Sequence, residues 1–172
     1  MRDGDNADGA AGREKMTTKE LAVWRALIDT TDELRKILGS QLLRESNLSP
    51  ADYQVLLALH EADGRRMRSS ELAASIDWER SRLSHHLGRM ERRGLIRRDD
   101  CATDNRGSEI SFTDDGARLF RASTAPHFRA IKQHFADALT PVQLDALADI
   151  TRALQRHLRP EPQPTQAGGD RS

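Results

Sequence analysis

Side chains that could do catalytic or metal chemistry are present in this chain but do not converge. The six histidines, His60, His85, His86, His127, His134 and His157, show no metal-ligand spacing with cysteine or acidic residues. His85 and His86 are adjacent, so on a helix they point to different faces, which argues against a shared ion. No Ser-His-Asp arrangement, phosphate loop or paired-carboxylate motif stands out. An enzyme is therefore not expected, and no cofactor is called for. The lone cysteine, Cys101, rules out an internal disulfide framework.

The arginines are more informative. Formal net charge is zero, but the charge is unevenly spread. Between Gly64 and Arg98 stand ten arginines (Arg65, Arg66, Arg68, Arg80, Arg82, Arg89, Arg92, Arg93, Arg97 and Arg98) against four acids (Glu71, Asp77, Glu79 and Glu91). That balance of +6 leaves −6 for the remainder. An electropositive middle between acidic flanks is a footprint for a polyanion, the alternative being a solvated charged surface. Within it, a helix over 78–93 is expected to anchor through Leu83, Leu87 and Met90. Ser81, Arg82, Ser84, His85 and Arg89 fall largely on its other side. Those residue types suit double-stranded DNA. Arg82 could donate bidentately to guanine, Ser84 and His85 could reach base edges or phosphates, and Arg89 suits a phosphate. Ser69, expected to cap the preceding helix, is a further candidate contact. His86 lies beside the apolar stripe and is expected to be a hydrogen-bonded, partly buried histidine, the alternative being a pH or ligand sensor.

The elements that must hold this helix follow from local signals. Residues 1–16 are small and polar without periodicity and read as a disordered arm, as does the tail from 159 to 172. Thr17-Thr18-Lys19-Glu20 is a capping box opening a long helix whose apolar positions are Leu21, Trp24, Ile28, Thr31, Leu34, Leu38 and Leu42. Such a helix, roughly 40 Å long at about 1.5 Å per residue, exceeds what its own domain could cover, so a partner subunit is expected. Ser49-Pro50-Ala51-Asp52 starts a second helix over 50–62 that Asp63-Gly64 ends. A short strand at 66–68, a helix over 70–76, and Asp77 as cap of helix 78–93 come next. Leu95–Arg98 and Ile110–Thr113 are strand candidates flanking a polar loop. Thr113 caps a further helix that Pro126 should kink or break. Thr140-Pro141-Val142-Gln143 opens a last one carrying Leu144, Leu147, Ile150, Leu154 and Leu158. The pattern is mainly α with a small β-hairpin, the order of a winged helix-turn-helix: a buttressing helix, a groove-facing helix and a hairpin wing. No apolar run approaches the roughly 18 residues of a membrane span, and the N-terminus lacks the apolar core of a secretory signal, so a cytoplasmic location is expected.

Three stretches together resemble the MarR family of winged helix-turn-helix transcriptional regulators: SSELAASIDWERSRLSHHLGRMERRGLIRR, the segment Asp104-Asn105-Arg106-Gly107, and Ile110-Ser111-Phe112-Thr113-Asp114-Asp115-Gly116. Met90 and Phe112 stand where the family usually has leucine. The resemblance implies that Arg106 sits at the wing tip and enters the minor groove, with Asp104 bracing its guanidinium. It implies a two-fold homodimer built from 17–46 and 114–158, with 47–113 as the DNA-binding domain, on a near-palindromic site. The usual activity is repression relieved by a small-molecule effector bound between the dimer helices and the winged domain. Trp24 and His60 stand where that pocket would be lined, or alternatively pack in the core. Thiol-sensing relatives carry their cysteine near the first long helix, so Cys101 at the wing base is read as a bystander. An effector-independent DNA-binding regulator and a winged-helix protein-interaction module remain the competing readings. Arginines on both the helix and the wing argue against the latter.

Overall fold

The computed structural model describes residues 15–100 and 108–159. The order is α1 (Thr18–Ser46), α2 (Pro50–Glu61), β1 (Arg66–Arg68), α3 (Ser69–Ser75), α4 (Arg80–Arg92), β2 (Ile96–Asp100), β3 (Ser108–Phe112), α5 (Asp114–His134) and α6 (Pro141–Leu158). This is the mainly helical winged-helix order with a small sheet. Two compact units divide between Ile37 and Leu38. The first contains the N-terminal part of α1, and the second holds everything after it.

The helix starts are set by local hydrogen bonds. Thr17 Oγ1 accepts from Glu20 N at 3.2 Å while the Glu20 carboxylate accepts from Thr17 N at 2.6 Å. Reciprocal boxes of the same kind open α2 at Ser49/Asp52 and α6 at Thr140/Gln143, each followed by proline in the first turn. Thr113 caps α5, accepting from Gly116 N.

Two expected starts differ. Ser69 is the first residue of α3 and not its cap. Arg68 occupies the cap position, and its N–H donates to the Glu71 carboxylate at 3.2 Å. Asp77 does not cap α4, which begins at Arg80 after Glu79. Asp77 instead ends α3. It has φ 54, its N–H donates to Ala74 O, and Trp78 N donates to Ala73 O at 2.9 Å. That pattern is a Schellman stop, in which aspartate tolerates the left-handed conformation usually given to glycine. Gly94, with φ 68, ends α4 by the same device: Leu95 N donates to Met90 O and Gly94 N to Glu91 O.

Pro126 does not break α5, which is helical through His134. Phe120 and Ser123 before the proline and Ala130 after it are all buried, so packing on both sides carries the helix across the one lost amide bond.

β3 is the centre of a three-stranded antiparallel sheet ordered β1-β3-β2, with Ile110 opposite both Met67 and Arg98. The core joins α2 (Val55, Leu56, Leu59), α3 (Leu72), α4 (Leu83, Leu87, Met90), β2 (Ile96), β3 (Ile110) and α5 (Phe120). Gly116 brings α5 against the start of the hairpin. A Cβ there would lie 1.8 Å from Leu95 O, so only glycine permits the approach. Leu42 near the end of α1 joins this core, but many apolar residues earlier in α1 and along α6 do not. Trp24 is 54% and Val142 78% exposed, and Val23, Leu27, Ile150, Leu154 and Leu158 are exposed too. None of the described helices is long and apolar enough to cross a membrane.

Candidate nucleic-acid interface

Helix α4 divides as its sequence predicts. Leu83, His86, Leu87 and Met90, at helical spacing, are buried, while Ser81, Arg82, Ser84, His85 and Arg89 are exposed. The short helix α3 buttresses it through Leu72 and Ala73, with the tight turn 76–79 between them. The geometry is that of a helix held from behind with its polar face outward, which is what entry into a major groove requires.

Several arginines of the basic segment are spoken for. Arg93 Nη1 donates to Asp52 Oδ2 at 2.7 Å, Arg97 pairs with Asp99 at 3.1 Å, Arg66 with Glu109 at 3.5 Å and Arg98 with Glu91 at 3.4 Å. Asp52, Asp99 and Glu109 lie outside the 64–98 window, so the local positive field is weaker than a count along the sequence suggests. On α4, Arg80, Arg82, Arg89 and Arg92 pair with no carboxylate among the described residues. They are the cations the fold leaves on this face, which concentrates its charge on α4.

Two of the four are held in place. The Arg82 guanidinium lies 4.2 Å over the Trp78 ring, a cation–π stack. Arg89 Nη2 is 2.8 Å from His86 Nδ1. Ser69 and Ser84 meet at a notch of about 130 Å³, with Arg80, Arg98 and Ser108 on its rim, and Arg98 Nη2 donates to Ser84 O at 3.0 Å. Ser81 and His85 stand exposed on α4. Asp104, Arg106 and Cys101 lie outside the described residues.

Behind the helix is a buried polar node. Asp52, 2% exposed, accepts from Ser49 N at 2.9 Å and from Arg93, and its Oδ1 faces His86 Nε2 at 3.0 Å. Arg93 also donates to Asn47 O, so the node joins the end of α1, the start of α2, and the middle and C-terminal end of α4. Burial alone would push the Asp52 carboxyl up. The contacts with His86, Arg93 and Ser49 outweigh that and hold it well below the usual carboxylate range. His86 is 5% exposed and meets the Trp78 ring edge-on at 5.3 Å. The expected partly buried, hydrogen-bonded histidine is thus almost wholly buried. Sequence reading did not single out Trp78 or the reach of Asp52. The only available signals were the aromatic just ahead of α4 and the acid in the α2 capping box.

His60 lines a second feature, an apolar cleft of about 420 Å³ with Tyr53, Leu57, Phe120, Thr124 and Phe128. Its ring packs 5.2 Å from that of Phe120. Burial raises the pKa of Tyr53 on the wall of this cleft and lowers that of the adjacent His127. Trp24 belongs to the first unit and is exposed there.

Comparison with known proteins agrees with this geometry. A sequence profile of the MarR family matches residues 46–107. The transcriptional repressor MprA of Escherichia coli is 24% identical over 119 residues, covering 69% of this chain and 67% of that protein. Among solved structures, Sco3205 of Streptomyces coelicolor, a MarR family transcriptional regulator solved in complex with DNA, is 36% identical with a TM-score of 0.77. The alignment covers 91% of this chain and 96% of that one. AbsC, a MarR family regulator from the same organism, is 34% identical with a TM-score of 0.76 over 84% of this chain and 97% of that one. Winged-helix order, the divided face of α4 and identity over nearly the whole length lead to one assignment: this chain belongs to the MarR family of transcriptional regulators.

Proposed function

We propose that the protein is a homodimeric transcriptional regulator that binds double-stranded DNA at a near-palindromic site and represses until a small molecule releases it. The observation that carries this reading is the outward polar face of α4, with Arg82 and Arg89 above a buried stripe, in a chain similar to a regulator solved on DNA. Ser69, Ser81, Arg82, Ser84, His85 and Arg89 are the proposed contacts on the helix-turn-helix, and Asp104 and Arg106 those on the wing. Residues 47–113 serve as the DNA-binding domain. Residues 17–46 and 114–158 serve as the dimerisation region, which the exposed apolar side chains of α1 and α6 support. MprA is named a repressor, and the same direction of control is proposed here. The cleft beside His60 supports an apolar effector with a polar edge.

The test is a mobility-shift titration on DNA from upstream of the protein's own gene, repeated across salt concentrations. Affinity should fall steeply as salt rises, because phosphate contacts on both subunits release counterions. An affinity indifferent to salt would contradict a phosphate-anchored interface. An effector would reveal itself in a compound screen by raising the melting temperature and releasing the DNA.

A further inference from the structure

His86 occupies a position where a leucine would pack without polar cost. Its neighbours on the buried stripe are Leu83, Leu87 and Met90, yet it brings two ring nitrogens into the interior. One has a hydrogen-bond partner and the other faces a carboxylate. Arginine can only donate, so the 2.8 Å contact from Arg89 Nη2 makes Nδ1 an acceptor and leaves the ring proton on Nε2. Nε2 faces Asp52 Oδ1 at 3.0 Å, a close electrostatic contact that favours this tautomer without being a well-aligned hydrogen bond. The same ring lies nearly perpendicular to that of Trp78, whose face carries the Arg82 guanidinium. The half-buried Trp78 ring and the buried His86 ring therefore each touch one of the arginines that α4 exposes.

We propose that Trp78 and His86 are positioning residues that preset Arg82 and Arg89 for DNA: Trp78 by stacking under one guanidinium, His86 by accepting from the other. This rests on the reading of α4 as the DNA-contacting helix. The physical gain is preorganisation. A free arginine loses most of its rotamer freedom when fixed against a phosphate or base, and one already fixed by the fold loses less at the moment of binding. Arg89 spends one N–H on His86 and keeps the others for a phosphate. The arrangement also sets direction, since a guanidinium tied at one edge presents its opposite edge outward.

Double-mutant cycles on the full chain test this, with a duplex selected by the wild-type protein and salt held fixed. His86→Leu should weaken binding by roughly tenfold in the wild-type background and hardly at all in an Arg89→Ala background. Trp78→Leu should behave likewise with respect to Arg82→Ala. The crossed pair, Trp78→Leu with Arg89→Ala, should show independent losses. His86→Asn, which places a carboxamide oxygen near the Nδ1 position, should recover much of what leucine loses. If His86→Leu costs the same with and without Arg89, the histidine acts only by supporting the fold and the proposal is overturned. A second readout needs no DNA. The imidazole 15N resonances of His86 should show a protonated Nε2 and a bare Nδ1, and the Nδ1 signal should move in Arg89→Ala. A ring protonated at Nδ1, or an Nδ1 signal unmoved by that substitution, overturns the positioning itself. A protein with the expected nitrogen signature that binds no duplex at all instead overturns the DNA reading, and with it the purpose assigned to the arginines.

Discussion

Asp52 illustrates how much one carboxylate can be asked to do. It completes the capping box of α2, takes the Arg93 guanidinium at 2.7 Å and faces the His86 ring, all while nearly inaccessible to water. Asp52→Asn would keep much of the shape but remove the charge that Arg93 and His86 are arranged around. Because Arg93 remains partly exposed, the expected loss sits at the low end for a broken buried pair, about 3 kcal/mol, read by urea denaturation. The pH dependence has a definite sign. The carboxyl is held lower in the folded chain than in the unfolded one, so its contribution is complete above the unfolded value, about 4. That contribution drains away as pH falls below it toward the folded value. The wild-type protein should therefore lose stability below pH 4 more steeply than Asp52→Asn does; parallel acid-denaturation curves would show that the node contributes little. The capping role of Asp52 was legible in the sequence, because Ser49 and Asp52 are three residues apart. Its ties to His86 and Arg93 were not, because Arg93 stands 41 residues along the chain and no local pattern encodes such a meeting. The stack of Arg82 on Trp78 is closer in sequence, but it depends on a turn whose conformation the sequence reading assigned differently.

At the scale of elements, start signals made of side-chain hydrogen bonds were readable and the tight connections less so. The starts of α1, α2, α5 and α6 follow from Thr17, Ser49, Thr113 and Thr140, residues whose hydroxyls accept from amides three positions on. Asp77 satisfies the same composition rule as an N-cap, yet it stops α3, because the Schellman bonds of Asp77 and Trp78 to Ala74 and Ala73 take precedence in so short a connection. Ser69 is displaced by a single residue for a related reason: β1 runs directly into α3, which leaves Arg68 to occupy the cap. Pro126 carries a strong local penalty that burial on both flanks overrides. The sharpest constraint between elements is Gly116, where α5 meets the carbonyl of Leu95. Gly116→Ala should force the helix and hairpin apart and destabilise the protein by about 3 kcal/mol or more. Gly88→Ala on α4, whose Cβ would meet only the Arg98 side chain at 3.6 Å, should cost little by comparison. Equal melting temperatures for the two variants would contradict the packing described at the α5 start.

For the whole molecule, the apolar pattern of α1 and α6 is informative because much of it is exposed. Trp24, Leu27, Ile28, Ile150 and Leu154 lie at helical spacing and are exposed, which on a folded protein marks surface meant for a partner. The full chain should sediment as a dimer at micromolar concentration. Removing residues 1–46 should give insoluble or unfolded material, and a soluble, folded monomer after that truncation would refute the homodimer. Zero net charge is no obstacle to binding DNA, since screening over about 10 Å makes the field local, and the arginines left on α4 set that field. The central claim is that this local surface reads sequence from a two-fold symmetric dimer. Its most direct test is selection of bound duplexes by the full-length protein from a random-sequence library at fixed salt, followed by the same selection with Arg82→Ala. The wild-type protein should enrich a near-palindrome whose half-sites are about one helical turn apart. The variant should enrich the same spacing with relaxed preference at the base pair Arg82 reads, its affinity for the wild-type site falling by about 1–3 kcal/mol. No enriched sequence, or an enriched one without two-fold symmetry, would contradict the account.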